Sequence, residues 1–578
     1  MAMGWLLVAG SGVGWGYVAE FNAAGVVRRW ALNPPDTRVS VNAVNRTARA
    51  IRYRLDTAGS PAGNALAELM AVRTAFDQWQ AVPGTLLRFE EAPSVSGTAD
   101  VDLNDGFNTV FWSRSLFVNG GRDNLSGVLA LTYVGSYPDG NVIANADIVF
   151  NGVQYDWFTD FENPTRQEIF VEAIALHEIG HLLGLRHSPV GGATMLAVGD
   201  RGVNSQTGLS ADEIAAARAL YGAAAVAAGY GRVAGTVTAS GAPVFGAAVF
   251  IEDAAGNVAA GTVTRAGGQY ELGGLAAGRY VVRVAPLDPA GAPNVLVRGA
   301  DIANTYSGAS TDFHPTTDRE VTIPGGGAVT ANFEVVAGEP IRIVRVLRPA
   351  GDLTEPSFHD KPVEVQPAGQ TVYLGVLTPA TLTGGVQLEV RGDGLVQGPT
   401  ETQANVLGNM SLAAVPVTVL AGATPGLRSL RLEVGGSVAW AHGFIELAPP
   451  FPDVNFDGFD DRFQRRYWPR FTAPEAGPTA DPDGDGFSNR WEYETGSDPT
   501  DPGSAHFRIE TVRVTESGAR VRSQAAIGKR FQLEARGVVA GSAWQLVGAP
   551  VLAAGAEVEF TDPGATGNER YYRVRMVP

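Results

Sequence analysis

The chain has 578 residues, which is too many for one hydrophobic core and, at roughly 150 residues per domain, enough for about four domains. Its net charge of -17 argues against nucleic acid and anionic membranes as partners, and the absence of cysteine excludes disulfides. With 72 glycines, 35 prolines and 18% charged residues, the composition is typical of short strands joined by turns.

The N-terminal residues are apolar and lead into small side chains. Residues 1–19 are therefore expected to be a signal peptide, although the basic segment that usually opens such a signal is missing, and a disordered leader is the alternative. No other stretch approaches the ~18 apolar residues that a membrane span needs. We expect a secreted, extracellular and monomeric protein without a membrane span.

The next 200 residues alternate between strand and helix patterns. Residues 51–55 alternate as a strand, and apolar side chains recur at helical spacing between residues 66 and 79. Short β-rich runs lie at 86–90, 99–103, 109–112, 128–134 and 146–151. Asn163 followed by Pro164 suits the start of a helix, and Ser210 with Glu213 three residues later predicts a capping box.

One short segment carries residues suited to metal chemistry. His177 and His181 are four positions apart, so on a helix they lie on one face with Glu178 beside them. Gly184 can end that helix in a left-handed conformation, and the resulting turn brings His187 back toward the same point. These three are the only histidines in the first 313 residues, so a buried helix that merely carries histidines is the weaker interpretation.

Three neutral imidazoles leave the fourth position of a tetrahedral zinc ion to water, which is the arrangement of catalytic zinc sites. The ion would lower the pKa of that water toward ~7 and polarise a peptide carbonyl. Glu178 is the expected general base, which accepts a proton from the attacking water and passes it to the departing amine. The segment therefore predicts a Zn²⁺-dependent endopeptidase acting on proteins or peptides.

The pattern HExxHxxGxxH at residues 177–187, followed by Met195, resembles that of the metzincin metalloproteases. Ser188 and the segment 209–222 are similar to the matrixin branch, which includes the matrix metalloproteases. Met195 would lie under the zinc site as the Met-turn, although methionine also fills gaps in ordinary cores. The resemblance implies an α+β domain over residues 20–222, with a twisted, mostly parallel sheet and three helices.

Two features of matrix metalloproteases are absent. Residues 125–133 contain no histidine, so we predict no second, structural zinc there. The chain also has no cysteine, so no thiolate can bind the zinc of a proenzyme and keep it latent. The strand at 128–134 is the expected edge for pairing with an extended peptide. The loop at 196–208 should form the wall of the main specificity pocket.

The sequence becomes β-rich after a linker at 223–230. Residues 231–338 resemble the carboxypeptidase regulatory-like β-sandwich. Alternation over 339–450 predicts an immunoglobulin-like β-sandwich, and the strand patterns of 504–578 predict a terminal β-domain. Arg391-Gly392-Asp393 matches an integrin-binding tripeptide, but Asp393-Gly394 is also a common hairpin turn, and we favour the turn. These domains are candidates for binding a surface or matrix.

Residues 451–503 predict a small module of calcium-binding loops. Oxygen donors occupy positions 1, 3, 5, 7, 9 and 12 of an EF-hand loop at Asp481, Asp483, Asp485, Phe487 (through its carbonyl), Asn489 and Glu492. A second, weaker loop repeats the early positions with Asp453, Asn455, Asp457 and Asp461, but Gln464 replaces the closing Glu. The segment resembles thrombospondin type 3 or dockerin-like repeats, which implies structural Ca²⁺.

Taken together, these patterns predict a secreted multidomain zinc endopeptidase of matrixin type with accessory β-sandwiches and structural Ca²⁺. Two alternatives stay open, a surface adhesin or scaffold with a vestigial metal site and a processing protease of narrow specificity. An intact Glu178 beside all three histidines favours the enzyme, because a site that only binds would tolerate loss of the base.

Overall fold

The computed structural model describes residues 18–22, 25–97, 99–137, 139–161, 168–198, 206–292, 295–366, 369–502, 504, 508–525, 527–537, 543–565 and 569–577. The chain forms two compact units, Met1–Phe456 and Asp457–Pro578. Of the predicted signal peptide, only Val18 and Ala19 belong to the described residues. No helix in the described ranges is long and apolar enough to cross a membrane.

The first unit begins with an α+β domain. Its strands are β1 (Val44–Asn45), β2 (Ala50–Leu55), β3 (Phe89–Glu91), β4 (Thr109–Ser113), β5 (Phe117–Val118), β6 (Asp123–Asn124), β7 (Ala130–Ser136), β8 (Ile143–Asn151), β9 (Trp157–Phe158) and β10 (Ile169–Phe170). Its helices are α1 (Ala65–Ala81), α2 (Val171–Leu182) and α3 (Ala211–Tyr221). Six strands form one sheet in the order β1-β2-β4-β8-β7, with β3 on β2. The pairs β2–β3, β2–β4 and β4–β8 are parallel, and β7 runs antiparallel to β8.

Helix α1 forms where apolar residues recur at helical spacing. Asn64 caps its first turn by accepting a hydrogen bond from the amide of Ala67, and one face is buried against α2. Trp79 is fully buried and its indole donates to the carbonyl of Leu176, 3.0 Å away. The predicted helix is thus confirmed, and it supports the helix that carries the first two histidines.

Two of the predicted elements are corrected. No strand forms at 99–103, because side-chain oxygens take its amides: Asp100 accepts from Val101, and Asp147 accepts from Asp102. Asn163 and Pro164 lie outside the described residues, and α2 begins later, at Val171. The residues just before it belong to β10, which pairs in parallel with β9, so they are held as strand and not as helix.

The capping box at the start of α3 is confirmed. The Ser210 side chain accepts a hydrogen bond from the amide of Asp212, and the carboxylate of Glu213 accepts from the Ser210 amide at 3.0 Å. Glu213 also accepts from the amide of Met195 at 2.9 Å. The cap therefore ties the last helix of the domain to the methionine beneath the histidine site.

A first β-sandwich follows. Its strands are β11 (Tyr230–Ala239), β12 (Ala242–Pro243), β13 (Ala248–Asp253), β14 (Val258–Val263), β15 (Gln269–Ala276), β16 (Gly278–Ala285), β17 (Phe313–His314), β18 (Arg319–Ile323), β19 (Ala328–Thr330), β20 (Phe333–Glu334) and β21 (Val336–Ala337). One sheet has the order β12-β11-β15 with β19 and β20 on β11, and the other has the order β14-β13-β16-β18. Between β16 and β17 the chain forms the short helix α4 (Gly299–Ile302) and a 3-10 turn (Asn304–Tyr306). The predicted linker at 223–230 contains a 3-10 helix (Ala224–Gly229).

A second β-sandwich completes the first unit. Its strands are β22 (Arg345–Leu347), β23 (Phe358–His359), β24 (Val363–Val365), β25 (Thr371–Thr378), β26 (Val386–Val390), β27 (Leu395–Gln397), β28 (Glu401–Leu407), β29 (Met410–Val419), β30 (Gly426–Val434) and β31 (Ser437–Leu447). The two sheets have the orders β23-β22-β25-β29-β27, with β28 on β29, and β24-β31-β30-β26.

The tripeptide 391–393 lies at a corner between these two sheets. Asp393-Gly394 does not form the predicted hairpin, because β26 pairs with β30 while β27 pairs with β29 in the other sheet. Arg391 pairs with Asp318 at 2.9 Å and Asp393 with Arg428 at 3.0 Å. The first ion pair joins the corner to the first sandwich, and the second joins it to β30 of its own sandwich, so both charged side chains of the tripeptide are held.

The sandwiches and the α+β domain share apolar packing within the first unit. Val190 and Leu196, from the loop that follows the third histidine, belong to the same buried cluster as core residues of both sandwiches. The amide of Gly191 in that loop donates to the carbonyl of His442 in β31 at 2.9 Å. The loop beneath the histidines is therefore held by the accessory domains.

The second unit contains short helices followed by a small β-domain. The helices are α5 (Asp461–Tyr467) and α6 (Asn489–Thr495), with a 3-10 turn (Pro474–Ala476) between them. The strands are β32 (Ile509–Thr515), β33 (Gly518–Gln524), β34 (Arg530–Arg536), β35 (Gln545–Leu552), β36 (Glu557–Asp562) and β37 (Tyr571–Val577). They form two three-stranded sheets, β32-β33-β36 and β35-β34-β37.

Candidate zinc site

The three predicted histidines come together in the first unit. His177 and His181 project from successive turns of α2, and His187 follows the turn after the helix. One ring nitrogen from each lies within 4.8 Å of the others. The rings are half-buried, so each keeps an edge open to the neighbouring cleft.

Each ring is oriented by a backbone carbonyl. The Nδ1 atom of His177 lies 2.8 Å from the carbonyl oxygen of Thr194, and Nδ1 of His181 lies 2.7 Å from that of Leu185. Nδ1 of His187 lies 2.5 Å from the carbonyl oxygen of Asp301 in α4. Because a carbonyl only accepts hydrogen bonds, each Nδ1 carries the proton and each Nε2 presents a lone pair.

This tautomer fits a bound cation. Nε2 of His181 lies 3.3 Å from Nε2 of His187, so two lone pairs face each other and repel unless a positive ion lies between them. Burial lowers the pKa of His177 to about 3, and it also lowers the pKa of His181 and His187, which keeps the rings neutral. Neutral imidazole nitrogens are zinc ligands, and the donor set therefore suits Zn²⁺.

Glu178 lies next to the histidines on α2 and is buried at 4% exposure. Burial raises the pKa of its carboxyl group to about 7, while a hydrogen bond from Thr132 opposes that increase. The Thr132 hydroxyl lies 2.6 Å from Oε2 of Glu178 and 3.0 Å from its carbonyl oxygen. Thr132 is a site residue that sequence reasoning missed, because nothing in the pattern of β7 relates it to α2.

The turn after α2 is built as predicted. Gly184 has φ +97°, in the left-handed region, and a Cβ there would lie 2.4 Å from the carbonyl oxygen of Arg28. Only glycine fits this position without moving the backbone. The amide of Leu185 then donates to the carbonyl of Gly180, and two residues later the chain reaches His187.

Met195 lies against the underside of α2. It is 2% exposed, and a Cβ on Gly180 would approach its sulfur to 2.2 Å, so the glycine makes room for the thioether. The carbonyl of Met195 accepts from the amide of Ser188, directly after the third histidine. Gly180 lies at one of the unspecified positions of the histidine pattern, so the pattern alone does not predict its role.

A cleft of about 960 Å³ opens over the histidines and Glu178. One wall consists of residues 127–134, including most of β7, which pairs with β8 alone among the described strands. Leu196, Ala197, Val198 and Gln206 line another part of the cleft, while 199–205 of the predicted specificity loop lie outside the described residues. Residues of α4 and the turn after it also line the cleft, a contribution that the sequence did not predict.

The predicted calcium residues in the second unit are gathered around one loop. Carboxylate oxygens of Asp481, Asp483 and Asp485 lie within 4.8 Å of one another, and Gly486 has φ +92° at the sharp turn. Both carboxylate oxygens of Glu492 and the side-chain oxygen of Asn489 are buried without a hydrogen-bond partner.

Unpartnered buried oxygens of this kind fit a hard cation such as Ca²⁺. Burial, reinforced by the charges of Asp483 and Asp485, raises the pKa of Glu492 to about 7. Phe487, at the carbonyl position of the predicted loop, stacks its ring on Trp491.

The weaker predicted loop falls where the two units meet in sequence. Asp453 and Asn455 belong to the first unit, and Asp457 and Asp461 to the second. In the second unit, the amide nitrogen of Gln464 donates to Oδ2 of Asp457 at 2.8 Å, so the residue in the closing position presents a donor where the complete loop has an acidic oxygen. A calcium ion here stays a prediction.

Three family models match separate parts of the chain. The matrixin model matches residues 45–222, the model of the carboxypeptidase regulatory-like domain matches 232–336, and the bacterial TSP3 repeat model matches 481–502. The last of these covers the loop from Asp481 to Glu492. No curated protein matches the chain.

Solved structures with partial similarity include three proteins of Gram-positive bacteria. The minor pilin GBS52 of Streptococcus agalactiae is 13% identical with a TM-score of 0.13, and the match covers 19% of this chain and 45% of the pilin. The Bacillus anthracis TIE protein is 8% identical with a TM-score of 0.14, covering 38% of this chain and 32% of that one. A BcpA major pilin subunit of Bacillus cereus is 11% identical with a TM-score of 0.14, covering 60% and 88%. TM-scores this low do not establish a shared fold.

Proposed function

Because the chain contains a matrixin domain at residues 45–222, followed by a carboxypeptidase regulatory-like domain and a bacterial TSP3 repeat, we propose that it is a secreted zinc-dependent endopeptidase. His177, His181 and His187 are its proposed zinc ligands, and Glu178 is its proposed general base. Proteins or peptides that enter the cleft in an extended conformation are the proposed substrates.

The observation that carries the proposal is the arrangement of the imidazole nitrogens. Three separate carbonyls accept from the three Nδ1 atoms, which leaves three Nε2 lone pairs directed toward one another. A purely structural cluster would more easily place one protonated ring between two acceptors. A cation bound between the rings would remove the repulsion between these lone pairs. The matrixin match supports zinc as that cation.

Zinc bound at these nitrogens would supply Lewis-acid chemistry, polarising a peptide carbonyl and making a bound water more acidic. Glu178 would take a proton from the attacking water and deliver it to the leaving nitrogen. Thr132 holds one carboxylate oxygen of Glu178 at 2.6 Å, so the base keeps a fixed position at the floor of the cleft. A carboxyl group with a pKa of about 7 is suited to accept and return a proton near neutral pH.

Strand β7 supports the proposed mode of substrate binding. It lies at the edge of the sheet and beside the cleft, so its free backbone groups are available to pair with an extended peptide. A peptide added to this edge would pass close to Glu178 and the histidines, because residues 129–134 and the histidines line the same cleft. Folded domains would need local unfolding to enter.

We also propose that the protein acts outside the cell. The loop from Asp481 to Glu492 places several carboxylates together, and their charges repel unless a cation binds. Extracellular calcium reaches millimolar concentrations, which suits modules with sites of this kind. The proposed structural Ca²⁺ and the signal peptide expected from the sequence both agree with secretion.

The proposed base is tested by Glu178→Gln in the full-length protein. The amide keeps the shape of the side chain but accepts no proton, so kcat/KM on unfolded casein should fall about 10²- to 10⁴-fold while zinc content stays at the wild-type level. Zinc is measured by elemental analysis and cleavage by the release of peptides.

Glu172→Gln is the matched control, because Glu172 lies on the same helix, is buried, and does not line the cleft. Equal proteolysis by Glu178→Gln and Glu172→Gln would refute the assignment of the base. A wild-type protein that holds zinc but leaves both casein and a peptide library intact would refute general endopeptidase activity.

A further inference from the structure

One segment of the first β-sandwich reaches into the cleft of the α+β domain. We call residues 296–306 the strap; it contains α4 (Gly299–Ile302) and the 3-10 turn (Asn304–Tyr306). Ala300, Ile302, Ala303 and Asn304 line the cleft that also contains the histidines and Glu178. A segment of a different domain therefore borders the space where a substrate would bind.

The strap also contacts a proposed zinc ligand. The carbonyl of Asp301 is the hydrogen-bond acceptor for Nδ1 of His187, at 2.5 Å. The corresponding acceptors for His177 and His181 are Thr194 and Leu185, which belong to the α+β domain itself. One of the three hydrogen bonds that orient the ligands thus comes from the accessory domain.

The strap is built as a fixed wall. The amides of Leu296 and Val297 donate to the carboxylate of Asp288 at 3.0 and 3.1 Å, which anchors its first residues. Arg298 pairs with the carboxylate of Asp301 at 2.9 Å and holds the turn that presents the carbonyl. Ile302 is 2% exposed within an apolar cluster shared with the α+β domain.

Aromatic packing fixes the far end of the strap. The ring of Tyr306 stacks on Phe245 of the first sandwich, with centroids 5.3 Å apart. Gly299 begins α4 in a tight space, where a Cβ would lie 2.0 Å from the carbonyl oxygen of Tyr306. The position of the Asp301 carbonyl is therefore set by the packing of the whole segment.

We propose that the strap completes the active site, as a positioning element for His187 and as a specificity wall of the substrate cleft. The inference rests on the proposed function, because it concerns the same cleft. A hydrogen bond to the distal nitrogen fixes the orientation of a histidine ligand and strengthens its hold on the metal. The cleft-lining side chains of the strap carry no charge, and the charged Glu20 and Arg186 that also line the cleft pair with each other at 3.6 Å. The wall formed by the strap therefore favours small or uncharged substrate side chains.

The positioning role is tested by the rate of zinc release from the full-length protein to a chromophoric chelator. Gly299→Val displaces the strap and should accelerate release about 10- to 100-fold. Gly308→Val is the matched control, because Gly308 is exposed and a Cβ there meets nothing within 4 Å. Asp301→Ala keeps the backbone carbonyl but removes the carboxylate that accepts from the amide and the guanidinium of Arg298. It is a milder variant and should accelerate release by a smaller factor. Wild-type release rates in folded Gly299→Val and in Asp301→Ala would overturn the positioning role.

The specificity role is tested by Asn304→Asp, which places a carboxylate in the wall. Cleavage of a peptide library should shift toward sites with Lys or Arg at one subsite, by about two- to fivefold in kcat/KM. Thr305→Asp is the matched control, since Thr305 is exposed and does not line the cleft. Identical cleavage profiles for the two variants would overturn the specificity wall.

The two failures are distinguishable. A wild-type protein that binds zinc and cleaves no peptide contradicts the proposed function, and the zinc-release comparison still decides the positioning role of the strap. If the wild-type protein cleaves peptides but Asn304→Asp and Thr305→Asp have identical cleavage profiles, the specificity role of the strap is contradicted. The proposed function is then unaffected.

Discussion

At the scale of single residues, the candidate site depends on hydrogen bonds that come from distant parts of the chain. Thr132, from β7, binds the carboxylate of Glu178, and Asp301, from the first sandwich, binds His187. The sequence pattern identified the proposed zinc ligands and the proposed base, because their spacing is local and follows helical geometry. The hydrogen-bond partners Thr132 and Asp301 were not predicted, since the positions of these residues depend on how separate elements pack.

Thr132 should set the pH at which the base works. Thr132→Val removes a hydrogen bond that lowers the pKa of Glu178, so that pKa should rise. Because the base acts as the carboxylate, the acid limb of the kcat/KM profile should move to higher pH, by about one pH unit or less. Thr132→Ser keeps the hydroxyl and should retain the wild-type profile. The same acid limb in both variants would argue that Thr132 has no influence on the base.

The histidine cluster should make the zinc-free protein sensitive to acid. The pKa of each histidine is lowered in the folded state, so the unfolded chain binds protons first as the pH falls below about 6.5. The stability that the neutral rings contribute is therefore present above that pH and is lost as the pH falls toward the folded pKa, about 3 for His177.

Each histidine contributes a slope of up to ~1.4 kcal/mol per pH unit, and less where an open ring edge meets water. Urea unfolding of the zinc-free protein at pH 7 and pH 5 measures the sum of this slope and the opposite slope of carboxyl groups with a raised pKa, such as Glu178 and Asp147. The histidine contribution is therefore read from the difference between the wild-type protein and a variant that lacks one ring. Replacing His187 with Gln should reduce it, because Gln does not titrate. Equal slopes for the wild-type protein and His187→Gln would contradict a contribution of the histidine cluster.

At the scale of elements, the turn after α2 links the backbone to the metal geometry. Gly184 adopts φ +97° close to the carbonyl of Arg28, so a side chain there meets both backbone strain and a steric clash. The sequence pattern predicted this turn correctly, and it also predicted α1 and the capping box of α3. These features depend on a few neighbouring residues, which is why sequence reasoning reached them.

Gly184→Ala should therefore destabilise the first unit and weaken zinc retention. The left-handed conformation alone costs an alanine about 1–2 kcal/mol, and the clash should add to that cost. Gly120→Ala is the control, because Gly120 has φ +63° but a Cβ there meets nothing within 4 Å. Urea unfolding and zinc release are measured for both. An equal loss of stability would show that the contact with Arg28 is unimportant.

The start of α2 and the segment 99–103 mark where element-level prediction failed. Asn163 and Pro164, which lie outside the described residues, have the residue types of a helix start. The helix begins at Val171, directly after β10, whose pairing with β9 local propensity does not encode. Residues 99–103 alternate like a strand, yet their amides are taken by Asp100 and Asp147. Both outcomes depend on partners elsewhere in the fold.

At the scale of the whole molecule, composition and sequence patterns predicted the order of the domains but not how the domains of the first unit pack against one another. Resemblance located a matrixin domain, a carboxypeptidase regulatory-like domain and a TSP3 repeat, and the three family models match them. The packing of the loop after His187 against both sandwiches was not foreseen, because it joins residues such as Gly191 and His442 that are far apart in sequence. The accessory sandwiches are structural neighbours of the histidine site.

The second unit should depend on calcium. Glu492→Gln removes one negative charge from the closing position of the loop and should weaken calcium binding about 10- to 100-fold. Glu494→Gln is the control, since Glu494 is exposed and occupies no ligand position. Because the pKa of Glu492 is raised to about 7 in the absence of metal, calcium binding should also weaken as the pH falls below 7. Calorimetric titration that gave the same affinity for both variants would contradict a calcium site in this loop.

The proposed function depends on the binding of one divalent cation by His177, His181 and His187. The most direct measurement is a zinc-edge anomalous difference map from crystals of the full-length protein. We expect a single strong peak in the first unit, about 2.0–2.1 Å from the Nε2 atom of each histidine. A map without a peak among these rings, from protein that is folded and was purified with zinc present, would contradict it.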